Sequence, residues 1–320
     1  MAAWSDPFCR HRANTKPIII MKSIILVTGS SSGIGKLSAR TLALSGHTVY
    51  ATMRDLAGRN ASAVRELHGF ANAHAVDLRP LELDVQSQAS ADRAVETIYQ
   101  EQGRLDVVMH NAGHLVVGPA EAFSPDEIAH TFDINVLGTQ RVNRAVLPRL
   151  RAQQHGLLLW IGSTTTRGGH PPFMGPYAAA KAAMDSLAVD YAYEVARFGI
   201  ETTIVVPGAF TQGTAHFPNA GKPAETETVA SYDTRYQGIL DAIGARLSAL
   251  TPDNANPQTV ADEVARVVNL PAGQRPFRSI IDFLGDGFKE VSAVADQVRI
   301  DFAHRMGIAD LLTPTLVLRH

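Results

Sequence analysis

Ile24-Ile25-Leu26-Val27-Thr28-Gly29-Ser30-Ser31-Ser32-Gly33-Ile34-Gly35 decides how this chain folds. The four apolar residues at its start are largely β-branched and read as a buried parallel strand. Residues 36–43, Lys-Leu-Ser-Ala-Arg-Thr-Leu-Ala, read as a helix. Strand, glycine-rich turn and helix in that order point to a dinucleotide site. Glycines let the backbone turn sharply and approach a pyrophosphate with no Cβ in the way. The helix start then offers free N–H groups and the positive end of its dipole. Gly29, Ser31, Ser32, Gly33, Ile34 and Gly35 are therefore candidate cofactor contacts, on a Gly-x-x-x-Gly-x-Gly spacing.

Outward from this turn, strands and helices alternate. Strands are predicted at 47–52, 79–85, 105–110, 157–162 and 200–206, with an edge strand at 277–283. Helices are predicted up to about residue 70, over 89–102, through most of 121–150, and over 176–198 and 259–269. Ser124-Pro125-Asp126-Glu127 is a helix start signal. This alternation predicts an α/β fold, a doubly wound parallel sheet of about seven strands, Rossmann-like. Ligands in such sheets sit beyond the carboxyl ends of the strands. The glycine-rich turn, Arg54, Asp84, Asn111, Ser163 and Pro207 fall there. Between 211 and 256 the pattern gives way to Pro, Gly, Thr and Asn, with one helix-like piece over 232–249. An insertion at that place is expected to cover the substrate as a lid. Phe210, His216, Phe217, Tyr232 and Tyr236 make it apolar and aromatic. A helix and an apolar tail end the chain. Residues 1–21 carry no helix or strand period and are expected to form a flexible leader. Residues 22–320 then make one domain.

The 320 residues carry a formal net charge of −2 and are 45% hydrophobic, values that suit one large α/β domain. That charge gives no electrostatic reason to expect nucleic acid or an anionic membrane as a partner. No apolar run approaches the ~20 residues of a membrane span. A single cysteine, Cys9, cannot close an internal disulfide, so a cytoplasmic location is expected. His110 and His114 have no carboxylate or cysteine at ligand spacing, so no metal site is expected.

Tyr177 and Lys181 open a predicted helix four residues apart, which places both side chains on one face. An ammonium beside a phenol favours the phenolate and makes the tyrosine an acid/base near neutrality. Ser163 and Thr164 follow the fifth predicted strand, and a hydroxyl from either can polarise a substrate oxygen. Asn135 stands mid-helix among apolar neighbours, where asparagine is a mediocre helix former. It reads either as a satisfied buried amide or as the holder of a relay water. Arg54 ends the second strand and suits a phosphate, but Asp55 follows it at once, and an acid there would favour a free ribose hydroxyl.

Taken together, these motifs resemble the short-chain dehydrogenase/reductase family over roughly 22–213. The matching residues are Thr28-Gly29-x-x-x-Gly33-Ile34-Gly35, Asn111-Ala112-Gly113, Asn135, Ser163/Thr164, Tyr177-x-x-x-Lys181 and Pro207-Gly208-x-x-Thr211. Residues 49–55 are similar to the branch with 17-beta-hydroxysteroid and retinol dehydrogenases. The resemblance implies Tyr177 as acid/base, Lys181 on the nicotinamide ribose, and Asn135 as anchor of a relay water. It implies Asp84 and Val85 near the adenine, and Asn111, Ala112 and Gly113 shaping the cofactor site. Pro207, Gly208 and Thr211 would contact the nicotinamide amide. The family's serine usually stands thirteen residues before the tyrosine, the place of Thr164 here, with Ser163 one residue earlier. The expected function is NAD(P)-dependent hydride transfer to or from a carbonyl/alcohol carbon of a bulky hydrophobic small-molecule substrate. NADP is favoured through Arg54 and Ser31, with NAD as the alternative. Relatives commonly associate through the helices within 121–150 and 177–198, so a homodimer or homotetramer is expected. The competing readings are a non-catalytic NADP-binding regulator, or an epimerase or dehydratase on the same fold.

Overall fold

A computed structural model describes residues 22–214 and 216–316. The predicted leader over 1–21 and the last four residues of the apolar tail lie outside the described residues. β1 (Ile24–Val27), β2 (Thr48–Met53), β3 (Leu78–Glu82), β4 (Val107–His110), β5 (Gly156–Ile161), β6 (Ile200–Pro207) and β7 (Arg278–Ile281) form one sheet. Its order is β3-β2-β1-β4-β5-β6-β7, and every pairing is parallel. The order reverses between β1 and β4, and the crevice opens at that switch point.

The helices are α1 (Gly33–Leu44), α2 (Ala61–His74), α3 (Gln88–Gln102), α4 (Pro125–Phe132) and α5 (Gly138–Gln153). They continue as α6 (Gly175–Ala196), α7 (Thr226–Tyr236), α8 (Ile239–Leu250), α9 (Gln258–Asn269) and α10 (Phe288–Arg305). Both faces of the sheet are covered, which explains the unbroken apolar runs of the central strands. Successive residues of β1 serve opposite layers. Ile24 and Leu26 join the layer under α3, α5 and α6, while Ile25 and Val27 join the layer under α1 and α9. β5 repeats this division, with Leu158 and Trp160 on the first face and Leu157, Leu159 and Ile161 on the second.

Several stretches differ from the sequence reading, among them the strand predicted over 79–85, which as β3 stops at Glu82. The helix predicted over 232–249 is two helices, α7 and α8. Gln237 and Gly238 both take left-handed backbone (φ 47 and 75), which no continuous helix allows. The helical stretch predicted over 121–150 starts at a capping box, where Ser124 Oγ accepts from Glu127 N–H and the Glu127 carboxylate accepts from Ser124 N–H. It then widens into a π-helical turn, Asp133–Leu137, before α5. The edge strand is shorter than predicted, four residues from Arg278 to Ile281. Among the described residues, no helix is long and apolar enough to cross a membrane.

Candidate active site

A cleft of about 770 Å³ runs along the carboxyl ends of the strands. Gly29, Ser31, Ser32, Gly33, Ile34 and Gly35 line one end. The turn is clamped from the next strand. Asn111 Nδ2 donates to the carbonyls of Thr28 (2.8 Å) and Gly29 (2.9 Å), and Thr28 Oγ1 accepts from the N–H groups of Asn111 and Ala112 (both 3.0 Å). A Cβ on Gly35 would stand 2.3 Å from Asn111 Nδ2 and 2.4 Å from Gly29 O. A Cβ on Gly33 would meet nothing within 4 Å, but φ of +55 there favours glycine. At the start of α1 the Ser32 side chain caps no N–H, and the first turn holds no acid. Those donors and the helix dipole face the cleft, so the residues present fit a pyrophosphate-bearing dinucleotide.

Arg54, Asp84, Val85, Asn111, Ala112 and Gly113 also line the cleft. Asp55 does not. Its backbone takes φ +50, and its carboxylate turns into the following loop to accept from Gly58 N–H (3.0 Å) and Arg59 N–H (2.7 Å). Gly58 makes room for it, since a Cβ there would lie 2.6 Å from both carboxylate oxygens. Arg59, unremarked in the sequence reading, lines the cleft from that loop. No motif spacing marks it, and only the fold of the turn brings it in.

Tyr177 and Lys181 stand side by side on the first turns of α6, lining the cleft with 6% and 5% of their surfaces exposed. Lys181 Nζ donates to Ile161 O at 2.9 Å, at the tip of β5. Burial pulls the Lys181 pKa down to about 8. Burial pushes the Tyr177 phenol up to about 12, while a hydrogen bond with Ser163 pulls the other way. The lowered tyrosine expected from the sequence is thus reversed in the free protein, because desolvation of the phenolate outweighs its neighbours. Thr164 lines the cleft too, but the hydroxyl that lowers the phenol pKa against its burial is that of Ser163. Ser163 Oγ also lies 2.9 Å from Thr165 Oγ1.

Asn135 and Thr211 do not line the cleft. Asn135 is fully buried in the π-helical turn, and its amide is satisfied by backbone. Nδ2 donates to His114 O (3.0 Å) and Thr131 O (2.8 Å), and Oδ1 accepts from His114 N–H (3.1 Å). It pins the segment after Gly113 rather than facing ligand. Thr211 lies past the lining residues Pro207 and Gly208, with its hydroxyl buried and unpartnered. Of the aromatic residues expected over the substrate, Phe210, His216 and Phe217 line the cleft, and the His216 ring meets Tyr177 edge-on at 5.7 Å. Tyr232 and Tyr236 stack on each other at 5.8 Å and take the edge of Phe173 instead. His110 is buried against Trp160 with Nε2 2.8 Å from Asn143 Oδ1, and burial pulls its pKa down to about 4. Among the described residues, no three of His, Cys, Asp and Glu are grouped to hold a metal ion.

Leu115, Met174, Phe217, Leu247 and Leu284 add apolar side chains to the cleft lining, beside polar ones that include His114, Thr214, Asn219 and Asp286.

Comparisons with known proteins agree with this architecture. Over 190 residues the chain is 36% identical to the 3-ketodihydrosphingosine reductase of Bacteroides thetaiotaomicron, covering 59% of this chain and 65% of that one. Over 192 residues it is 36% identical to 17-beta-hydroxysteroid dehydrogenase type 1 of Homo sapiens, covering 58% and 56%. The chain thus spans less than two thirds of the length of either relative. Its fold matches an actinorhodin polyketide ketoreductase with NADPH at a TM-score of 0.68 and 24% identity, covering 83% of this chain and 98% of that one. The family model described as short chain dehydrogenase matches residues 23–222, more than half of the chain, and the protein belongs to that family of oxidoreductases.

Proposed function

We propose that the protein is an NADP-dependent oxidoreductase that moves hydride between the nicotinamide and a carbonyl/alcohol carbon of a hydrophobic substrate. The observation that carries this reading is the Ser163–Tyr177–Lys181 group, collected on one wall of a cleft whose far end is the glycine-rich turn. The bound dinucleotide supplies or accepts the hydride. Tyr177 holds its proton in the free protein and is suited to donate it to a carbonyl oxygen during reduction. Ser163 offers a second hydrogen bond to that oxygen as negative charge develops on it. Lys181 orients the ribose and, when charged, eases proton loss from Tyr177 in the oxidative direction. Relatives named for a keto group and for a hydroxysteroid support a carbonyl/alcohol carbon. Leu115, Met174 and Phe217 in the lining support an apolar substrate. The stretch 211–256, carrying α7 and α8, is read as the lid. The direct test is loss of reduced-nicotinamide absorbance with a panel of hydrophobic aldehydes and ketones. Dinucleotide binding without turnover of any of them would sink the reading.

The preference for NADP rests on the turn after β2. Arg54 and Arg59 line the cleft, and Asp55, the acid that follows Arg54 and would repel a 2′-phosphate, is turned into its own loop. Wild-type kcat/KM should be higher with NADPH than with NADH. Arg54→Ala should lower the NADPH value about 10- to 150-fold and leave the NADH value unchanged, since a charged hydrogen bond is worth roughly 1.5–3 kcal/mol. A wild type that prefers NADH would overturn the assignment.

A pH effect follows from Lys181. Its charge is half lost at about pH 8, and the ammonium is the better hydrogen-bond donor and counter-charge for an anionic dinucleotide. The dissociation constant for NADPH should therefore rise as pH climbs through that value. Titration calorimetry across the range checks it, and Lys181→Met should remove the dependence.

A further inference from the structure

Ser163 sits on a turn that is anchored away from the cleft. The 3₁₀ turn Thr164–Thr166 starts at Ser163 and ends at Arg167, whose N–H donates to Thr164 O at 3.3 Å. The Arg167 side chain is not part of the cleft lining. Its Nη2 donates to Asp185 Oδ2 on α6 (2.8 Å), and its Nη1 donates to Ser292 Oγ on α10 (3.2 Å). Asp185 is also held by Arg278 of β7, through Nη1 to Oδ1 (2.5 Å) and Nη2 to Oδ2 (3.2 Å). Asp296 of α10 lies 3.5 Å from Arg278 Nε. The Asp185 and Arg278 side chains are 4% and 3% exposed, and that of Arg167 is 21% exposed.

Asp185 lies four residues beyond Lys181 and eight beyond Tyr177, so all three project from one face of a single helix. One end of that face bears the phenol. The other grips the guanidinium of Arg167, the residue whose backbone N–H closes the Ser163 turn. Burying three charges is expensive, and apolar side chains of the same volume would fill the space without that desolvation. What they would lack is direction. A guanidinium hydrogen-bonded to two fixed partners can stand in only one place.

We propose that Arg167, held by Asp185, is a positioning residue that sets the Ser163 hydroxyl against Tyr177. The proposal rests on the reading of Ser163 and Tyr177 given above. It predicts that Arg167 acts through Ser163 and through nothing else in the reaction. The test is a double-mutant cycle in the full chain, with NADPH and a carbonyl compound that the wild type reduces. Ser163→Ala removes one donor to the oxyanion and should lower kcat about 100- to 1000-fold. Arg167→Gln displaces that donor and should lower kcat by up to about 100-fold, with the NADPH dissociation constant unchanged. In the Ser163→Ala background, Arg167→Gln should lower kcat no further, because its only route to the reaction is gone. Arg167→Lys should recover part of the loss, since it keeps the charge beside Asp185 but not the second contact to Ser292. Should Arg167→Gln not fold, Arg167→Lys takes its place in the cycle with the same expectation. If the two losses multiply, or Arg167→Gln turns over like wild type while Ser163→Ala does not, the positioning role is wrong. If Ser163→Ala itself turns over like wild type, the error lies in the catalytic reading.

Discussion

Tyr177→Phe is expected to lower kcat/KM for carbonyl reduction by about 100- to 10,000-fold, the usual contribution of a positioned general acid. NADPH affinity should not change. The substitution keeps the ring, which packs with Leu115, Val116, Phe123 and Met174, and removes only the phenol oxygen. That oxygen is hydrogen-bonded with Ser163. The burial that holds the phenol at about 12 makes Tyr177 a reliable store of one proton across the physiological range. Lys181 cannot replace it, since its Nζ is engaged with Ile161 O at the tip of β5. Some activity should survive, because Ser163 still donates to the developing oxyanion. Single-turnover kinetics with saturating NADPH, beside a fluorescence titration of NADPH binding, separate the two effects. Turnover within a few-fold of wild type would move the acid role to another group.

Gly35→Ala is expected to weaken NADPH binding about 100-fold, the scale of overpacking where nothing nearby can yield. The new methyl would meet the Asn111 amide and the Gly29 carbonyl, two groups already bonded to each other. Relief requires either breaking that clamp or lifting the start of α1 away from the turn. Either movement withdraws the N–H groups that a pyrophosphate would meet. Gly33→Ala makes the informative contrast. There the methyl enters open space, and the penalty comes only from φ of +55, about 1–2 kcal/mol for a non-glycine residue. Gly33→Ala should therefore lower the melting temperature with a smaller loss of affinity than Gly35→Ala. Thermal melts with and without NADPH measure both. Equal affinity losses for the two variants would mean that the clamp plays no special part.

The sheet was legible because its central strands are buried on both faces, and Ile24 to Val27 can hardly be read otherwise. Tyr177 and Lys181 were legible because four residues on a helix make one face regardless of what surrounds them. What the sequence left open or missed shares a cause, which is that it depends on how distant segments meet. Ser163 and Thr164 are set by a 3₁₀ turn that ends at Arg167, whose side chain is held by α6 and α10. The break between α7 and α8 needs a left-handed glutamine, Gln237, and glutamine carries no local mark of that conformation. Tyr177 rises instead of falling because desolvation is set by the whole fold and not by its neighbour on the helix. Asn135 looked out of place in a helix, and the anomaly was real, but its cause is a π-helical turn whose amide is spent on the backbone around His114. Asp55 shows the same limit at its sharpest, since one residue and one turn decide which side chain a ribose would see.

Part of the cleft wall comes from beyond the segment that carries the rest. The glycine-rich turn, the Asn111 clamp and the Tyr177 group all fall inside residues 23–222, whereas Leu247, Leu284 and Asp286 come after them. Drift in the later segment can reshape that wall without touching the glycine-rich turn or the Tyr177 group. Descendants of such a chain are free to explore new chemistry one pocket wall at a time, and grafting that wall alone onto a cousin is a practical route to redirecting its selectivity.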